Sequence, residues 1–230
     1  MCANYTPTRR DRWVEERLQT KLPQGDWPGE AYPGLSAPIV FLDPHSGAPR
    51  CMLARFGLIP PWAKDASFGR RTYNARSESA PEKPSFRAAW RERRYALALM
   101  DNFYEPRWES ASAGGDGGLF DDPAPVAVLR AQRWRIARAD GEPFAAASLW
   151  ERWTDPGTGE AVISFSMLTI HAGQHSLMRN FHKPADEKRM LVLPPNSRYQ
   201  EWLKASPASA AGMMEAMPAE ELVAEPAARS

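Results

Sequence analysis

The residue of this 230-residue chain with the most unusual chemical potential is the cysteine directly after the initiator methionine. A small second residue allows Met1 to be removed, and Cys2 then carries a free α-amine and a thiol on neighbouring carbons. With an α-amino pKa of about 8 and a thiol pKa of about 8.5, an appreciable share of such an amine is neutral at physiological pH and can condense with an aldehyde. The thiol can then close on the imine to give a thiazolidine ring, which resists hydrolysis better than a simple Schiff base. The same pair can instead serve as an N-terminal nucleophile that attacks amides, with the α-amine as base. Position alone does not choose between these outcomes, because any cysteine at position 2 has this latent chemistry.

Context comes from separated segments: FGLIPPWAKD at 56–65, YNARSESAPEKPSFRAAW at 73–90, DNFYEP at 101–106 and FHKPADEKRMLVLP at 181–194. Together with Met1-Cys2, and in this order, they resemble the SRAP family, named from the SOS response and first described as peptidases. The resemblance runs from Cys2 to about Leu203. It implies recognition of abasic sites in single-stranded DNA, a thiazolidine crosslink between the N-terminal cysteine and the ring-opened sugar, and autocatalytic removal of Met1. Carried over residue by residue, it implies Cys2 as nucleophile and Asn74, Glu105 and His182 as its companions. The chain departs from the pattern in two places. Ala3 and Asn4 stand where many members have Gly-Arg, and DNFYEP stands for DGFYEW, so that Asn102 replaces a glycine and Pro106 a tryptophan.

The chemistry accounts for these residue types. An abasic sugar exists mainly as a closed hemiacetal, so a group must move protons while the ring opens and the imine forms. Glu105 ends an apolar run, where burial raises a carboxyl pKa. His182 exchanges hydrogen bonds with sugar oxygens near neutral pH, and Asn74 holds an amine or hydroxyl without adding charge. Each has a plainer alternative: Glu105 as a strand-end partner of Arg107, Asn74 as a turn residue, and His171 or His175 in place of His182.

For binding, Arg76 in the NARSE motif would hold a phosphate, with Arg70 and Arg71 ahead of it on a glycine-containing stretch. Trp62, after Ile59-Pro60-Pro61, is the stacking candidate for a flanking base; the alternative is a core tryptophan. Trp90, Trp134, Trp150 and Trp153 sit in apolar contexts and read as packing residues.

The elements that must position these groups are mostly strands. Short apolar runs at APIVFLD, RCMLARFGLIPPW, RYALALMDNFYE, RWRIARAD, PFAAASLWERW, VISFSMLTIH and KRMLVLP are each bounded by Gly, Pro or Asp. They predict an α+β fold: a single domain with a largely antiparallel, barrel-like β-core and peripheral helices. Val14, Leu18 and Leu22 recur every four residues and predict one amphipathic helix, ended by Pro23 and Gly25. The expected domain spans 1–204, with 109–125 a mobile acidic loop. The Ala-, Pro- and Glu-rich stretch 205–230 reads as a disordered tail.

Net charge is +1, but four acids against one base after residue 204 leave +4 on the first 204 residues. Setting aside the four acids of 109–125 raises the balance to +8, which permits a nucleic-acid partner. The two cysteines, Cys2 and Cys51, exclude a disulfide framework and a four-cysteine zinc site, and the four histidines form no ligand motif, so no metal and no cofactor are expected. No signal peptide or spanning segment is legible, which predicts a cytoplasmic protein without a membrane partner; a monomer is expected. A non-covalent single-strand binder remains a further alternative, marked by strong salt dependence alone.

Overall fold

The computed structural model describes residues 2–110 and 129–228. Most of the acidic stretch read as a mobile loop lies outside the described residues. In chain order the elements are β1 (Tyr5–Pro7), α1 (Asp11–Leu18), β2 (Ser36–Leu42), β3 (Pro49–Phe56), β4 (Asn74–Arg76), α2 (Arg87–Arg91) and β5 (Tyr95–Ser110). Then follow β6 (Leu129–Arg138), β7 (Phe144–Thr154), β8 (Ala161–His171), β9 (Arg189–Leu191), α3 (Tyr199–Lys204), α4 (Pro207–Ala211) and β10 (Leu222–Pro226).

Five strands close into a barrel. β2 pairs antiparallel with β5 and β3, β3 runs parallel to β8, and β7 closes the ring between β8 and β5. This is the expected α+β, largely antiparallel core. Alternation along β5 explains how both faces of the wall are dry. Ala96, Ala98 and Met100 point into the barrel with Phe56, Phe165 and Trp150, while Tyr95, Leu97 and Leu99 pack outward with Tyr199 and Trp202 of α3. The small alanines inside leave room for the rings, and the Trp202 indole N–H donates to the Ala96 carbonyl at 2.8 Å, pinning α3 to the barrel. Trp13, Val14 and Leu18 bury the inner face of α1. That helix stops short of the expected Pro23 because Gln19 turns left-handed (φ 55°) and its N–H closes back on the Glu15 carbonyl at 3.1 Å.

β5 is long enough, at 16 residues, to leave the barrel. Its second half pairs with β1 on one side and β6 on the other. The stretch after residue 204, read from composition as a disordered tail, is folded over its described residues. α4 carries a Ser206–Ser209 capping box, and β10 pairs along β6 from Leu222 opposite Arg138 to Pro226 opposite Trp134. Ala210, Met213, Met217 and Leu222 anchor it, enough apolar burial to fix a segment whose average composition is polar and small. Among the described residues no helix is long and apolar enough to cross a membrane.

One backbone crossing sets the loop that carries Arg70 and Arg71. Gly57, at φ +113°, passes so close to Gly69 that an added Cβ would meet the Gly69 carbonyl oxygen at 2.2 Å. Gly57→Ala is therefore expected to lower the unfolding free energy by about 2–4 kcal/mol, combining left-handed strain with a backbone clash. The check is a urea melt. A midpoint unchanged from wild type would show that the crossing gives way without cost.

Candidate active site

The site lies where β5 leaves the barrel. The chain ahead of β1 runs alongside β5, its register fixed by Tyr5 opposite Phe103 and by the Tyr104 N–H donating to the Asn4 carbonyl at 3.0 Å. This brings Cys2 into the core at 1% exposure, close to the Glu105 carboxyl. Its thiol donates to the Asn4 carbonyl at 3.5 Å. Burial, then the nearby Glu105 charge, pushes the thiol far above its ordinary pKa, so the sulfur stays protonated at neutral pH. Cys51 is also pushed up, to about 12, by burial and by Asp11, and it packs in the outer core.

Glu105 is 3% exposed and faces His182, whose Nδ1 lies 3.4 Å from Oε2. His182 stands just past the turn Met178–Asn180 in a left-handed conformation (φ 64°). Its backbone N–H donates to the Pro106 carbonyl at 2.8 Å, tying it to β5 beyond Glu105. The ring Nε2 lies 3.1 Å from the Arg189 carbonyl, which can only accept, so Nε2 carries the proton. Burial lowers the histidine pKa to about 4, leaving the ring neutral at pH 7 with a lone pair on Nδ1. A carboxylate facing that lone pair would be repelled, whereas a carboxylic acid can donate to it. Burial raises Glu105 to about 7, in agreement. The pair thus holds one dissociable proton on the Glu105 side, close to neutrality.

Asn74 opens β4, paired with Met167 of β8. Its Nδ2 donates to the Tyr73 carbonyl at 3.0 Å, and its Oδ1 is buried with no hydrogen-bond partner among the described residues. Tyr73 was not singled out from the sequence. Burial and the neighbouring Cys2 and Glu105 raise its phenol pKa, which puts its hydroxyl within their electrostatic reach. Trp134, read as packing, stands opposite Glu105 in the β5–β6 register and meets Phe181 edge-on, with centroids 6.2 Å apart. Tyr73 opens the motif segment at 73–90, which was the available signal for it; Trp134 lies outside the motif segments and meets Glu105 only through the strand register.

The plainer alternatives sort by geometry. Arg107 pairs with Glu109 at 3.2 Å rather than with Glu105. His175 holds the Met217 carbonyl and the Met178 N–H, and exposed His171 bonds Glu187 at 2.8 Å, so of these histidines only His182 meets Glu105. Trp62 is 55% exposed, not a core residue; its ring meets Phe68 edge-on at 4.9 Å, and the Arg71 guanidinium lies over Phe68. Arg70 is exposed nearby. Arg76 is exposed too, but its guanidinium bonds Glu187 at 2.9 Å. Asn4 joins Glu30 (3.0 Å) and Arg133 (2.7 Å) on the rim of a cavity of about 420 Å³ that reaches Glu105.

The profile of the family described as SOS response associated peptidase (SRAP) matches residues 1–230. The chain belongs to the SRAP family. It is 29% identical over 205 residues to the abasic site processing protein YoqW of Bacillus subtilis, covering 88% of this chain and 80% of that one. The abasic site processing protein HMCES of Gallus gallus is 24% identical over 178 residues, covering 74% of this chain and 49% of that one. Among solved structures, a Bordetella bronchiseptica protein superposes with a TM-score of 0.83 at 27% identity, over 99% of this chain and 100% of that one. A Bacteroides thetaiotaomicron protein shares the fold at a TM-score of 0.76 and 20% identity.

Because Glu105 sits above the ordinary carboxyl value of 4.5, its neutral form suits the fold. That advantage is complete below about pH 4.5 and is lost as pH rises through about 7. Glu105→Gln, which keeps a donor toward Nδ1, should therefore gain about 1–3 kcal/mol relative to wild type between pH 5 and pH 8, read from denaturant melts. In parallel, nitrogen NMR of the ring should show neutral Nε2–H His182 at pH 6. A doubly protonated ring there would refute the assignment.

Proposed function

We propose that this SRAP protein captures abasic sites in single-stranded DNA covalently through Cys2 once Met1 is removed. The observation that carries this reading is the buried Glu105–His182 pair, holding one proton near neutrality beside the Cys2 thiol. The names of the relatives, abasic site processing proteins, support the substrate class.

The reaction begins with hydrolysis of the Met1–Cys2 peptide bond, which releases methionine and frees the α-amine. Protonated Glu105 donates to the departing ring oxygen as the C1′ hydroxyl gives its proton to solvent and the sugar opens to its aldehyde. The neutral amine adds to C1′, and loss of one water leaves the imine. Only then does the thiol act: burial keeps it protonated, so the amine is the first nucleophile and the sulfur the second. Glu105, now a carboxylate, takes the thiol proton as sulfur adds to the imine carbon and the imine nitrogen takes a proton from solvent. The net change from aldehyde and aminothiol to thiazolidine is the loss of one water. His182, fixed by two backbone carbonyls, holds the Glu105 carboxyl in one position through these transfers. Asn74, with an unfilled buried acceptor, is suited to hold an amine or sugar hydroxyl.

Arg76, Arg70 and Arg71 supply phosphate contacts, and Trp62 with Phe68 offers an aromatic platform for a flanking base. A hydrolase acting on amides through a thiolate is less well served by this site, because burial and Glu105 both oppose ionisation of the sulfur. Capture is stoichiometric in this reading, since a thiazolidine does not release the enzyme.

The test is a denaturing gel with single-stranded DNA carrying one abasic site, beside undamaged DNA and Cys2→Ala. Mass spectrometry should first show that Met1 is gone. A lesion-dependent band that survives denaturation and vanishes in Cys2→Ala is expected; its absence from Met1-free protein would sink the proposal. The capture rate should follow a bell in pH, limited on the acid side by amine protonation and on the alkaline side by ionisation of Glu105 near 7. Glu105→Gln should slow capture by about 100-fold or more and abolish the alkaline limb.

A further inference from the structure

Glu187 stands outside the chemistry described above, on the segment between His182 and β9, and it is bonded on three sides. Its Oε1 accepts from Arg189 Nη1 at 2.7 Å and from His171 Nε2 at 2.8 Å, while Oε2 meets Arg76 Nη2 at 2.9 Å. Arg189, 1% exposed, is the fixed post of this cluster. It also holds Glu78 through two hydrogen bonds (2.7 and 2.8 Å) and Thr169 through its hydroxyl and carbonyl (3.1 and 2.8 Å). Arg76 differs from Arg189 in kind: its side chain is 51% exposed, and among the described residues its ion pair is the one to Glu187.

The division between the two oxygens matters. Breaking the Oε2 contact frees Arg76 yet leaves Oε1 on Arg189 and His171, so Glu187 can release the outer arginine without abandoning the buried one. A carboxylate and a phosphate compete for the same guanidinium fork. The Arg189 hydrogen bond holds Glu187 below its ordinary pKa, which keeps it anionic at neutral pH.

We propose that Glu187 is an internal competitor of the DNA backbone for Arg76, so that a phosphate engages Arg76 only by displacing the Oε2 contact, and that this weakens binding to undamaged single strands. The inference rests on the reading of the chain as a single-strand-binding capture protein. Phosphate binding is indifferent to the lesion, whereas covalent capture requires it. Weakening the first therefore favours the second. Glu187 is in this sense a specificity-determining residue that never touches the reacting atoms.

The experiment is fluorescence anisotropy of an undamaged single-stranded oligonucleotide across a salt series, with wild type, E187Q, R76Q and the double variant, each checked by thermal melt. E187Q should bind about 2- to 5-fold tighter at low salt, the size of one exposed ion pair, with a salt slope steeper by up to about 0.7. In the R76Q background the same change should do nothing. Equal affinity of E187Q and wild type, or tightening that persists in R76Q, would overturn the proposal. Should E187Q fail to fold, E187D keeps a carboxylate for Arg189 but withdraws it from Arg76. E187D should also tighten binding, and no tightening would count against the idea. Wild type that captures abasic DNA while E187Q matches it on undamaged strands refutes this inference alone. Wild type that neither binds single strands nor captures the lesion refutes the function on which it rests.

Discussion

Taking the Glu105 carboxyl almost wholly out of water is the constraint that organises the rest of this structure. A buried carboxylate is strongly disfavoured unless it is neutralised or paired, and the His182 ring that faces it is a neutral imidazole. That outcome requires His182 to be held in one orientation and one tautomer. The left-handed backbone at His182, the Pro106 carbonyl on its N–H and the Arg189 carbonyl on Nε2 do this together. Burial thereby keeps a proton available on Glu105 near pH 7, with the His182 lone pair facing it.

The same arrangement explains why β5 must be long. Its first half closes the barrel against β2 and β7, and its second half reaches out to carry Glu105 between β1 and β6. Pairing with β1 sets the depth of Cys2, and pairing with β6 sets Trp134 opposite Glu105. β10 then covers the open edge of β6, an edge that would otherwise expose unpaired backbone groups. A one-residue slip of β5 against its partners would turn Glu105 out of the core.

Charge is layered around this dry centre. Arg189 is buried with its hydrogen bonds met by Glu78, Glu187 and Thr169, and its carbonyl orients His182. One residue thus links the proton-holding pair to the outer cluster of Arg76, Glu187 and His171. Pairs at the outer rim are individually weak and sensitive to salt, so they are suited to exchange with a polyanion, whereas the buried pairs are not.

Much of this was legible in the residues themselves. The strand-length apolar runs foretold the β-core, because a period of two and the bounding Gly, Pro and Asp are local properties of the chain. The ordered motifs identified the family, and Cys2 announced an aminothiol by position alone. The sequence also named Glu105 and His182, but not that they touch, since the 76 residues between them are bridged by the closure of the barrel and the turn before β9. Nor could composition show that the segment after residue 204 folds: four apolar anchors spread over it find their sites only once α3 and β6 are in place. Tyr73, Arg189 and Glu187 gain their meaning from contacts with partners far along the chain. Residue types and local spacing determined which chemistry was available. Burial, tautomer and the pairing of charges, which depend on distances between remote segments, were decided by the tertiary structure alone.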